Sequence, residues 1–186
     1  LVIDPVELSP QQEEALGEVL ATASSLIVHG AKGARHALAS RGWTLGDVEF
    51  DTMLAAYLAH PDQRSHKLED VLSRVLGVVI EEEEGDPDAL FAVGDMGAGP
   101  SAAQVRVGKL AAHLHPLAHT LRSRLEESSE ATLLTDMEMP LSVLLGQMED
   151  IGIAADTGVL DGLSDELGKA VDAAREGAWA AAGREV

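Results

Sequence analysis

Residues Thr132–Asp156 read TLLTDMEMPLSVLLGQMEDIGIAAD. The spacing predicts a long helix over Thr132–Ile151. Pro140 should bend it, because proline lacks an amide hydrogen and its ring crowds the carbonyl four residues earlier. Gly152 follows as a helix stop. Asp156 stands where a carboxylate can cap the next helix. In that helix Leu160, Leu163, Leu167, Val171, Ala174 and Ala178 form one apolar stripe. Asp161, Asp165, Glu166, Lys169, Asp172 and Glu176 take the other face. The chain before this stretch has a different character, and the boundary falls near Ser128–Glu130.

Upstream, helices alternate with short apolar runs. Leu1–Ile3 reads as the end of a strand. Ser9-Pro10-Gln11-Gln12 starts a helix: Ser9 as N-cap, Pro10 in the first position, Gln12 closing a capping box. Ser25–His29, SLIVH, is a buried strand. Ala31–Arg41 is a short helix stopped by Gly42. Val48–Phe50 is a second strand, followed at once by a helix from Asp51 to about Ala59. Leu68–Leu76 forms another helix, and Ser101–Glu127 is mainly helical. The alternation indicates α/β architecture. Between them, Glu81–Pro100 holds Glu81–Glu84, Asp86, Asp88 and Asp95 among glycines. It reads as an acidic loop and lacks the ligand order of a calcium loop.

The 186 residues suit one domain, or one plus part of another. Hydrophobic residues make up 46%, enough for a core. Cysteine is absent, which excludes disulfides and thiolate metal sites. No apolar run is long enough to span a bilayer. The start at Leu1 rather than Met is read as a cut, with an unpaired sheet edge and marginal stability as its consequence. Acidic residues number 32 against 13 basic, a formal charge of −19. Because DNA affinity comes largely from Lys and Arg neutralising phosphates, this segment by itself is expected not to grip DNA.

Two blocks carry a resemblance. One is Phe50-Asp51-Thr52-Met53-Leu54-Ala55-Ala56-Tyr57-Leu58, continued by Arg64-Ser65-His66-Lys67-Leu68-Glu69-Asp70 and Leu76-Gly77. The other is Glu138-Met139-Pro140-Leu141, then Gly152-Ile153 and Asp156. Together they resemble the bacterial DNA polymerase I family, the family A replication and repair polymerases, at the passage from exonuclease domain to polymerase domain. The resemblance implies an internal piece of a larger DNA-directed DNA polymerase. Residues 1–128 would be the C-terminal part of an α/β, ribonuclease H-like 3′–5′ exonuclease domain, truncated at its N-terminus. Residues 129–186 would be the first all-α helices of the polymerase domain, leading to the thumb.

Exonucleases of that family hydrolyse a terminal phosphodiester with two divalent ions, which need several converging carboxylates. The resemblance implies an Asp-x-Glu pair on a strand that would precede Leu1. It also implies an Asn-x-x-x-Asp after the strand at Ser25–His29 and a Tyr-x-x-x-Asp on the last helix. Aligned on Asp51, Gly30 and Ala34 stand at the first of these two motifs, and Leu110 and Leu114 at the second. None has an oxygen donor in its side chain. The expectation is therefore no catalytic, cofactor or metal residue in this segment, and a proofreading-deficient platform. Mg2+, DNA and deoxynucleotides would bind through the polymerase region outside this sequence. The parent is expected to be a cytoplasmic, nucleoid-associated bacterial monomer. Asp51 is read as a helix cap rather than a surviving ligand.

Other candidates have plainer readings. His115 and His119, four apart, could face one metal, but no third ligand is in register and Pro116 should disturb the turn; with His113 they read as surface or packing histidines. His29-Gly30-Ala31-Lys32-Gly33 lacks the Lys-Ser/Thr ending of a phosphate loop. Glu138, between Met137 and Met139, reads as a partner for a basic residue elsewhere in the polymerase. The alternatives are a ribonuclease D-like 3′–5′ exonuclease and a non-enzymatic acidic interaction module on the same fold.

Overall fold

The computed structural model describes residues 1–80 and 101–185. The acidic stretch 81–100 lies outside the described residues. The chain forms two compact units, Leu1–Asp150 and Ile151–Val186.

In the first unit, α1 spans Pro10–Thr22. The Gln12 amide donates to Ser9 Oγ at 3.4 Å and the Ser9 amide to Gln12 Oε1 at 2.9 Å, the reciprocal box expected from the sequence. Strands β1 (Leu26–Val28) and β2 (Val48–Asp51) pair in parallel, with α2 (Ala31–Ala39) between them in sequence. The register sets Leu26 opposite Val48, Ile27 opposite Phe50 and Val28 opposite Asp51. Helix α3 (Thr52–Ala59) leaves β2 without a loop, and α4 covers Leu68–Leu76. The α/β reading holds, with helix predominating over a small parallel sheet.

Three sequence expectations change. Leu1–Ile3 is not a strand: it has no pairing partner among the described residues, and the chain turns at Pro5–Glu7. The stretch after Ser101 is helical as expected, in two helices, α5 (Ala102–Ala112) and α6 (Leu114–Glu127), joined at His113. Pro116 does not disturb α6. It sits in the first turn, where the amide hydrogen it lacks would have no partner in the helix.

The third change concerns Thr132–Ile151. Instead of one bent helix, the chain makes a short turn, α7 (Ala131–Leu133), a π-helical turn over Leu134–Glu138, and α8 (Met139–Ile151). The wide turn lies where the Pro140 ring would meet the Asp136 carbonyl, so it accommodates proline by widening the coil.

The core of the first unit draws on residues on both sides of position 128. Leu117, Leu121 and Leu125 recur every fourth residue on one face of α6, all buried. They pack with Phe50, Ala55, Ala56, Val71, Leu72 and Leu134, the last lying beyond the boundary read from sequence. A second cluster joins Ala31, Leu45 and Val48. Met139 touches both clusters.

In the second unit, Asp156 caps α9 (Thr157–Ala182), its Oδ1 accepting from the amides of Gly158 at 3.0 Å and Val159 at 3.3 Å. Leu160, Leu163, Leu167 and Val171 are exposed along that helix. No helix among the described residues is long and apolar enough to cross a membrane.

Replacing Leu121 by Ala should cost about 2–5 kcal/mol of unfolding free energy, the usual penalty for a cavity in a closed core. Leu163→Ala should stay within about 0.5 kcal/mol, because that side chain is open to solvent. Urea titrations of the two variants measure the contrast.

Candidate functional site

The parallel pairing brings the C-terminal ends of β1 and β2 side by side, with Val28 across from Asp51. Both strands pass directly into helices, so the N-termini of α2 and α3 open at one spot. Helix N-termini carry unpaired amides and partial positive charge. Asp51, 1% exposed, fills that spot. Its Oδ1 accepts from the amides of Gly30 at 2.9 Å, Met53 at 2.9 Å and Leu54 at 3.5 Å. Its Oδ2 accepts from the amide of Ala31 at 2.7 Å. One carboxylate thus caps two helices.

Gly30 makes the second cap possible. It precedes α2 with φ 79° and ψ 61°, a left-handed conformation that glycine adopts without strain, and it offers no side-chain cap of its own. The phosphate-loop reading of His29–Gly33 finds its answer here. The Gly30 and Ala31 amides that would cradle an anion already hold Asp51, and Lys32 Nζ pairs with Glu149 at 2.6 Å.

Beside Asp51, a buried hydroxyl and a histidine complete the junction. Thr52 Oγ1 lies 2.9 Å from His29 Nδ1 and 3.0 Å from the Val28 carbonyl. His29 Nε2 donates to the His66 carbonyl at 2.8 Å. With the ring proton on Nε2, the single Thr52 hydroxyl proton is shared between the Val28 carbonyl and the bare Nδ1. Burial pushes the His29 ring below the ordinary histidine value; the His66 carbonyl and the Asp51 and Glu69 charges oppose this without overcoming it. The loop after α3 is thereby tied to the end of β1.

A cavity of about 260 Å³ adjoins the junction, lined in part by Ala31, Arg35, Asp51, Leu54, Met139 and Val143. Arg35 Nη1 donates to the Leu45 carbonyl at 3.2 Å.

Each of the four positions that the resemblance assigns to ligands has its own place in the packing. Gly30 caps α2, Ala34 packs on the Ala31–Leu45–Val48 cluster, and Leu110 packs on the main core. Leu114 is half-buried in the first turn of α6. Among the described residues, no group of three or more His, Asp or Glu side chains is placed to hold a metal ion. His115 and His119 are exposed, and His113 Nδ1 turns back to the Lys109 carbonyl at 2.7 Å. Glu138 is half-buried and forms no ion pair among the described residues.

Residues 5–85 match the family described as DNA polymerase I, ribonuclease H-like domain. Along nearly its whole length the chain is also similar to complete DNA polymerases. It is 35% identical over 185 residues to DNA polymerase I of Mycobacterium leprae, covering 99% of this chain and 20% of that protein. The chain belongs to the DNA polymerase I family. DNA polymerase I of Bacillus subtilis is 32% identical over 143 residues, covering 76% of this chain and 16% of that protein. Among solved structures, the POL domain of Pol1 from M. smegmatis, in complex with DNA primer-template and dNTP, aligns with a TM-score of 0.69. That alignment is 34% identical and covers 99% of this chain and 29% of that one. The chain therefore spans about a fifth of the length of the curated mycobacterial DNA polymerase I relatives it matches.

Sequence reasoning found the Asp51 cap on α3 and missed its hold on α2, as well as the His29–Thr52 pair. The available signal was the strand–helix–strand–helix order, which sets two helix starts side by side once the strands are parallel.

Asp51→Ala should destabilise the fold by about 2–4 kcal/mol, roughly twice the loss of a single N-cap. Chemical denaturation of both proteins tests this. For His29, the unfolded chain takes up its proton first as pH falls, since the native value lies below 6.5. Its contribution is complete above 6.5 and is lost as pH drops through the lower native value. The gap in thermal midpoint between wild type and His29→Gln should narrow over that window.

Proposed function

We propose that this chain is a segment of a DNA-directed DNA polymerase I, working in replication and repair as a structural platform without proofreading. Residues 1–128 serve as the exonuclease-like domain and residues 129–186 as the first helices of the polymerase domain. The reading rests chiefly on Asp51. A two-metal exonuclease needs carboxylates with free oxygens beside the scissile phosphate. Here the aspartate of the Phe-Asp-Thr block accepts from backbone amides with both oxygens. Gly30 and Ala34, which the alignment on Asp51 puts at the ligand positions, bring no oxygen to the same end of the sheet.

The platform role also draws on α8. Leu141, Leu144, Leu145 and Met148 are exposed at spacings that share one helix face. Such a row asks for a covering partner, which in this reading is the rest of the polymerase. DNA, deoxynucleotides and Mg2+ bind in that remainder; the −19 charge of this segment is the wrong sign for gripping phosphates. The longer protein works as a monomer in the bacterial cytoplasm.

The test is a 3′-labelled oligonucleotide incubated with the chain and Mg2+ or Mn2+. No label should be released, and neither ion should raise the thermal midpoint, as a bound metal would. Metal-dependent release that disappears in Asp51→Asn would overturn the proposal. In the longer polypeptide that contains this chain, primer extension should proceed without any 3′–5′ removal of a mismatched terminus.

A further inference from the structure

Helix α8 meets α2 across Gly146, which is buried. A Cβ there would stand 3.4 Å from Lys32 Cγ and 3.9 Å from His36 Nε2, ordinary van der Waals distances, which shows how closely both side chains lie against α8. At the end of α8, Lys32 Nζ reaches Glu149 Oε1 at 2.6 Å. The His36 ring lies between two carboxylates, Nε2 at 2.9 Å from Glu149 Oε2 and Nδ1 at 2.9 Å from Asp150 Oδ1.

A neutral imidazole has one N–H, and an ionised carboxylate can only accept. A neutral ring can therefore satisfy one of these contacts while turning a lone pair on the other. Only the imidazolium donates to both. With the ring charged, Lys32, His36, Glu149 and Asp150 sum to zero; without its proton, one uncompensated negative charge remains in a chain already at −19.

We propose that Lys32, His36, Glu149 and Asp150 form a proton-operated latch that holds the end of α8 against α2. The surrounding charges agree with the geometry. His36 is raised above 6.5, chiefly by its hydrogen bond to Glu149; burial opposes this, and the hydrogen bond and charge of Asp150 add to the rise. Glu149 is lowered below 4.5 by Lys32 and His36. Arg35, on α2, lines the same cavity, and its Nη1 is engaged by the Leu45 carbonyl. The other walls, at Trp43, Thr44, Val143 and Gln147, bring no titratable group.

The sign follows. A raised native value means that the His36 contribution is complete below 6.5 and is lost as pH rises through that native value. The Glu149 contribution sets the acid limit: it is present above 4.5 and lost as pH falls through its lowered value. All four groups sit at the surface, so salt weakens the latch. Met139 stays seated in both core clusters, which confines the release to the later turns of α8. The inference does not depend on the polymerase reading.

The test is an NMR titration of the His36 ring in the 186-residue chain, with amide exchange protection followed at residues 146–150 from about pH 5.5 to about pH 8.5. His36 should titrate above 6.5, and protection of those amides should fall several-fold as the ring loses its proton. Asp150→Asn should move the titration down toward 6.5, and His36→Gln should flatten the pH dependence of protection. A ring that titrates at or below 6.5, or protection that stays level while the ring titrates, would overturn the latch. Should His36→Gln fail to fold, wild type and Asp150→Asn carry the test alone.

Discussion

One buried carboxylate organises the first unit. Two parallel strands end beside each other, each runs straight into a helix, and both helices present unpaired amides to the same small volume. Left empty, that volume would contain several buried donors without partners, each costly. Asp51 meets four of them and ties α2 to α3 through the sheet. The arrangement needs Gly30 in a left-handed conformation, since a side chain there would strain the backbone that reaches the second oxygen.

The position has a wider meaning for the fold. In open α/β sheets, ligands gather at the carboxyl ends of the strands, where helix N-termini point. In this chain the same place is filled from within by its own aspartate, with His29 and Thr52 packed alongside. A carboxylate used in this way ties the two helix starts together.

Rigidity then propagates outward. Phe50 carries β2 into the main core, where Ala55 and Ala56 of α3 meet the leucine ladder of α6. Leu134 and Met139 extend that core past the point where the sequence changes character, and the π turn lets the chain hold both residues inward while accepting Pro140. The acidic surface is balanced locally by cross-element pairs such as Arg41–Glu13, Arg106–Glu69 and Arg122–Glu49. These tie separate elements together, though exposed pairs of this kind contribute modestly to stability.

Much of this was legible in the residues alone. Capping boxes, strand runs, glycine stops and the Asp156 cap are local: each depends on a few neighbours, and Ser9, Asp51 and Asp156 did what their position predicts. The family likeness was legible for the same reason, because its blocks are short and contiguous. The tertiary structure decided what depends on distant partners. It denied Leu1–Ile3 a strand for want of a neighbour, split the later helices at His113 and Leu134, and brought Asp51 to the amides of Gly30 and Ala31 across some twenty residues of chain. It also set His36 between Glu149 and Asp150. Sequence patterns carry the torsional and capping preferences of adjacent residues; which carboxylate meets which amide or imidazole is chosen only when packed elements close the distance.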